Sequence, residues 1–90
     1  MRRDGNRLLL DGPVTLDTVP GLLPEALAAV KAGVETLDFT DCTAVDSAAI
    51  AFALDLRRAS DGRLALVNLP DAALKLARLY SVSDQMGLEG

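Results

Sequence analysis

Histidine is absent from this chain. Its absence removes the commonest general base and the commonest metal ligand together. Cysteine occurs once, as Cys42, so neither an internal disulfide nor a zinc or iron–sulfur ligand spacing can form. A lone thiol fits a reducing compartment. Tryptophan is missing too, and the aromatics amount to one Tyr and two Phe. The core must therefore be built of Leu, Ala and Val, and single-stranded nucleic acid would find no stacking platform. Basic residues are outnumbered, nine Lys and Arg against thirteen Asp and Glu, for a formal net charge of -4. Nucleic acid needs a basic face, so it is not expected as a partner. No run approaches the about 18 apolar residues of a membrane helix. The longest, Ala48 to Leu54, is bounded by Asp46 and Asp55. Met1-Arg2-Arg3-Asp4 leads into no apolar stretch, so no signal peptide is expected and a cytoplasmic location is.

What remains is enough for one small folded domain, expected to span 1–90. Half the residues are hydrophobic, too many for a disordered chain. Arg7 to Leu10 and Val14 to Leu16 are two short apolar runs on either side of Asp11-Gly12-Pro13, which predicts a β-hairpin. Thr18 or Asp17 caps a helix with Pro20 in its first turn. Leu23, Ala26, Leu27 and Val30 recur at helical spacing, and Gly33 ends the helix. Val34 to Thr40 is the next strand. Arg63 to Asn68 is another, after the Asp61-Gly62 break. Pro70-Asp71 opens a last helix, with Ala73, Leu76, Ala77 and Tyr80 as its apolar stripe and Lys75 and Arg78 on its solvated face. Ser81 to Met86 adds a short helical turn. The order β-β-α-β-α-β-α predicts an α/β fold with a mixed sheet, its later strands parallel and its helices packed on it.

The stretch from Leu37 to Arg58 organises the rest. Leu37 to Thr40 forms the strand, Asp41 to Val45 cross over, and Asp46-Ser47 open a helix that runs to about Ser60. Asp and Ser oxygens cap free N–H groups at helix starts, and Arg57 and Arg58 suit the negative end of the helix dipole. Function in open sheets of this kind gathers at the carboxyl ends of the strands, where Asp41 to Ser47 lie. Between Ser47 and Leu54 no side chain is charged. Ile50, Ala53 and Leu54 can face the sheet, while Phe52 and Leu56 point elsewhere, so the helix start is expected either to serve a second contact or to be covered by a neighbouring helix of the same domain. Asp38 is expected at an exposed strand position and Asp41 as a loop cap, not as paired catalytic carboxylates. Cys42 has no basic neighbour in sequence to stabilise a thiolate and is expected to be packed. With no Gly-rich phosphate loop and no nucleophile–base pair, neither enzyme activity nor a cofactor or metal is expected.

Val45-Asp46-Ser47-Ala48-Ala49-Ile50, after a strand and a loop, resembles the D-[ST]-x-G-[LIV] signature of STAS domains. The element order agrees, and the resemblance covers nearly the whole chain. Leu76-Ala77-Arg78-Leu79-Tyr80-Ser81-Val82 is similar to the closing helix of the MlaB type, the small STAS subunit of the bacterial Mla phospholipid-transport ABC complex. The resemblance implies a non-enzymatic partner-binding module. In the MlaB type, this face docks on a cytoplasmic ATPase subunit. That would place the protein at the inner membrane only through its partner, in the lipid traffic that keeps the outer membrane asymmetric. In anti-sigma factor antagonists, a partner kinase phosphorylates the signature hydroxyl. By position that hydroxyl is Ser47 and its neighbouring acid Asp46. The surrounding interface would comprise Asp41, Thr43, Val45, Ala48, Ala51 and Phe52. Ala49 stands where the family usually has Gly, and its Cβ is expected to keep a partner backbone at a distance. This counts against a kinase more than against an ATPase.

Overall fold

In the computed structural model, residues 1–88 are described. The strands are β1 (Arg2–Asp4), β2 (Arg7–Leu9), β3 (Pro13–Val14), β4 (Thr36–Asp38), β5 (Ala44–Val45) and β6 (Ala65–Val67). The helices are α1 (Val19–Lys31), α2 (Ser47–Ala59) and α3 (Asp71–Leu79). A four-stranded mixed sheet has the order β1-β2-β4-β6, with β2, β4 and β6 parallel and β1 antiparallel on the edge. The register sets Leu8, Leu37 and Leu66 side by side. Strand side chains alternate between faces. This row therefore faces the core with Leu10, Phe39 and Leu64, and Leu9, Asp38 and Val67 share the other face. The small α/β fold with a mixed sheet and three helices agrees with the sequence.

The hairpin is not where the sequence put it. It turns at Gly5-Asn6, between β1 and β2, with Gly5 at a φ of 62°. The Asn6 carbonyl accepts from the amides of Glu35 and Thr36 and so ties the turn to β4. Asp11-Gly12 instead carries the chain up to β3, which pairs in parallel with β5 in a separate two-stranded sheet. Arg2-Arg3-Asp4 escaped notice because all three residues are exposed and carry no apolar pattern. Charges of this kind suit an edge strand, since they discourage pairing with other chains.

The helix ends follow local rules. Gly33, at a φ of 105°, lets the Val34 amide reach back to the Ala29 carbonyl and close α1. Asp61 and Ser81 hold the same left-handed position after α2 and α3. There the amides of Gly62 and Val82 bond to the carbonyls of Arg57 and Ala77. Residues 83–87 form turns that lay Met86 in the core, in line with the short closing turn read from sequence.

Arg57 pins this closing segment. Its Nε donates to the Gln85 carbonyl at 2.9 Å and a terminal nitrogen donates to the Leu64 carbonyl at 2.6 Å. Gly87 lies against that guanidinium at a φ of 74°, and a Cβ there would come within 2.9 Å of it. Gly87→Ala combines left-handed strain with a displaced Arg57. It is expected to cost about 1–3 kcal/mol. A thermal melt should show this as a drop of about 4–8 °C per kcal/mol for a domain of this size.

Candidate functional site

The loops after β2, β4 and β6 all lie at one end of the sheet, the carboxyl end, and two of them meet there. Gly12 and Thr43 are joined by a backbone bond, and the register pairs Pro13 with Ala44 and Val14 with Val45. The turn before α1 is thereby laid beside the start of α2.

Asp46 holds the two together. It is the N-cap of α2, and one carboxylate oxygen accepts from the Ala48 amide at 2.8 Å. The other accepts from the Leu16 amide at 3.0 Å. Asp caps a helix because an ionised oxygen takes an amide that has no partner inside the helix. Here the second oxygen also fastens a neighbouring loop. Ser47, the first helical residue, projects into solvent. Asp41, Thr43, Ala44 and Ala51 are exposed as well, while Val45 and Ala48 are half-buried. The structure thus brings together most of the residues read from the sequence as an interface.

Phe52 is not among them. It is 1% exposed and belongs to the core. Ala49, Phe52, Ala53 and Leu56 recur at i, i+3, i+4 and i+7 and form the buried stripe of α2, which also packs against α1 and α3. Ile50, Phe52, Ala53 and Leu56 are all buried. The uncharged start of α2 therefore reflects a central helix, not a surplus contact. Ala49 is also buried, at 2% exposure. Its Cβ faces inward and cannot bear on how closely a partner approaches.

Leu16 was read as the end of a strand and is instead the most exposed large apolar side chain among the described residues, at 74%. The signal was an isolated leucine between Thr15 and Asp17-Thr18, in a polar lead into a helix, where no core position follows. Cys42 is half-buried, and burial raises its thiol pKa against weaker backbone hydrogen bonding, so it is poorly reactive.

Asp38 stands below this surface and was misread as exposed. It is 3% exposed. Arg7 donates to it at 2.6 Å, the Thr40 amide at 2.9 Å, the Thr40 hydroxyl at 2.6 Å and the Asn68 side chain at 3.1 Å. Burial pushes its pKa up. The hydrogen bonds from Thr40, Asn68 and Arg7 outweigh burial and hold the carboxyl well below the usual carboxylate range. Asp38 is thus an ionised strut that ties the first residue of β2 to the end of β4 and to Asn68 after β6, with no proton to exchange near neutral pH.

A cavity of about 460 Å³ opens at the opposite end of the sheet between Gly33, Glu35, Ser60 and Arg63. Its polar groups are engaged in structure: Glu35 accepts from Asn6, and Arg63 donates to the Ser60 carbonyl. No reactive group converges on it, so the exposed surface around Ser47 remains the better site. Among the described residues, no helix is long and apolar enough to cross a membrane.

The decisive comparison is with protein families. The family model described as "Mlab, STAS domain" matches residues 1–89. The chain belongs to the STAS-domain family. No curated protein matches it. STAS domains are binding and regulatory modules.

Proposed function

We propose that this STAS domain is a non-enzymatic accessory subunit that docks on the cytoplasmic ATPase of a bacterial Mla-type lipid-transport ABC complex. The family match along nearly the whole chain, with its MlaB description, carries the reading. Its contact face is Ser47, Thr43, Ala44, Asp41 and Ala51, with Val45, Asp46 and Ala48 at its base. That surface offers a mostly uncharged centre and no nucleophile–base pair, which suits a protein partner. Its location would be cytoplasmic, at the inner membrane through the ATPase alone.

The phosphorylation switch is the weaker reading. A phosphate on Ser47 would need amides at the helix start. The Ala48 amide is already bonded to the Asp46 carboxylate, and the Ala49 amide to the Asp46 carbonyl. The Asp46 charge would also repel it.

The test is co-purification of the tagged chain with the ATPase from its native host. Ser47→Arg puts bulk and an unmatched charge into the contact. It should abolish recovery of the ATPase while leaving the melting temperature of the isolated domain unchanged, because Ser47 is exposed. Recovery at wild-type yield would place the interface elsewhere. Stoichiometric phosphate on Ser47 in the native protein would favour the switch.

A further inference from the structure

Leu16 is exposed without being loose. The Thr15 carbonyl accepts from the amides of Thr18 and Val19 at 3.0 and 2.9 Å. The Thr18 hydroxyl accepts from the Thr15 amide at 2.9 Å and donates to the Pro13 carbonyl at 2.8 Å. The Leu16 amide itself is held by Asp46. The backbone at Leu16 and at Thr15 and Thr18 on either side of it is therefore held, and a large apolar side chain is displayed from an anchored turn beside the start of α2. Exposing such a side chain is unfavourable for the isolated domain, and fixing it lowers the entropy lost when a partner covers it.

The charge around it indicates what that partner looks like. Residues 10–18, 39–46 and 68–71 follow the carboxyl ends of the parallel strands. They carry Asp11, Asp17, Asp41, Asp46 and Asp71 and no Lys or Arg. Asp11 bonds to the Met1 amino group, whereas Asp17, Asp41 and Asp71 are exposed and have no ion pair among the described residues. Lys31, Arg57, Arg58 and Arg78 lie in the last turns of the three helices, at the opposite end. Leu16 thus stands in a negative rim. The other exposed apolar pair, Leu79 and Tyr80, ends α3 next to Arg78, away from this rim.

We propose that Leu16, held in place by the Asp46 carboxylate, is the apolar anchor of this face and enters a hollow on the partner that is rimmed by Lys and Arg. This rests on the docking reading above and adds to it the anchor, the positioning residue and the charge of the opposing surface. Leu16 takes the place that the sequence suggested for Phe52. Asp46 acts through Leu16 and is a positioning residue, while Asp17 and Asp41 steer the encounter.

The test uses the purified full chain and the purified ATPase subunit, with affinity and association rate measured in low and high salt. Leu16→Ala should weaken binding at least about 10-fold, as expected for a buried interface anchor. Its melting temperature should not change, and Leu16→Met should retain affinity. Asp46→Asn keeps an N-cap acceptor but can present an N–H₂ group to the Leu16 amide. Hydrogen exchange at that amide should speed up, and affinity should fall by less than in Leu16→Ala. Asp17→Lys with Asp41→Lys should slow association and reduce its salt dependence, as loss of electrostatic steering does. If Ser47→Arg abolishes binding and Leu16→Ala binds like wild type, the anchor is wrong and the docking reading stands. If the wild-type chain does not bind the ATPase at all, both are wrong. Binding that is indifferent to salt and to the lysine substitutions would overturn the basic rim.

Discussion

Phe52→Ala is expected to destabilise the domain strongly. Phe52 is among the largest fully buried side chains, at the centre of a helix that has neighbours on both sides. Truncating a buried Phe costs about 3–5 kcal/mol, because the lost transfer energy adds to that of the cavity left behind. A domain of this size has only about 5–15 kcal/mol in total. The core's one other Phe, Phe39, is itself fully packed and is not free to fill the space. Urea denaturation should show a midpoint lowered by a third or more of its wild-type value. Any loss of partner binding in this variant is then an indirect effect of the weakened core, since Phe52 itself does not reach the surface. A wild-type midpoint would show that the burial of Phe52 contributes little.

Asp38→Ala should come close behind. Its carboxylate takes hydrogen bonds from β2, from the second residue after β4 and from the residue after β6, and removing it strands the Arg7, Thr40 and Asn68 donors. Breaking a buried, hydrogen-bonded ion pair by deleting one partner costs about 3–5 kcal/mol. Arg7 is half exposed and can turn to water, so the lower end of that range applies. Asp38→Asn keeps the shape and an acceptor and should lose less. The pH dependence has a definite sign. The folded state holds the Asp38 pKa below the unfolded value of about 3.9, so the unfolded chain takes up the proton first. The stabilisation is therefore complete above about pH 4 and is shed as the pH falls toward the lower folded value. The stability gap between wild type and Asp38→Asn, followed by denaturant titration from pH 6 to pH 2, should narrow below about pH 4. A gap independent of pH over that interval would sink the assignment.

These two residues also mark where sequence reading stops. Leu37-Asp38-Phe39 alternates, and alternation assigns Asp38 correctly to the face opposite Leu37. Whether that face is wet depends on Arg7, Thr40 and Asn68, which reach it from other strands and loops. Phe52 shares one buried stripe with Ala49, Ala53 and Leu56, and because the start of α2 is apolar on every side, its packing against α1 and α3 decides which arc faces the core.

What the sequence determined by itself was local. The Asp46 cap, the helix to Ser60, the breaks at Gly33 and Gly62, the parallel later strands and the STAS signature were all legible. Each rests on residues within a few positions of one another, and so does the placement of Asp46 and Ser47 at one end of the sheet. The tertiary structure alone decided which strand pairs with the second, because three exposed charged residues have no pattern to betray a strand. It alone turned Phe52 and Ala49 inward and left Leu16 outside. Burial depends on the neighbours that the whole fold brings in, and a cap shared between α2 and a turn thirty residues earlier leaves no periodic trace in the chain.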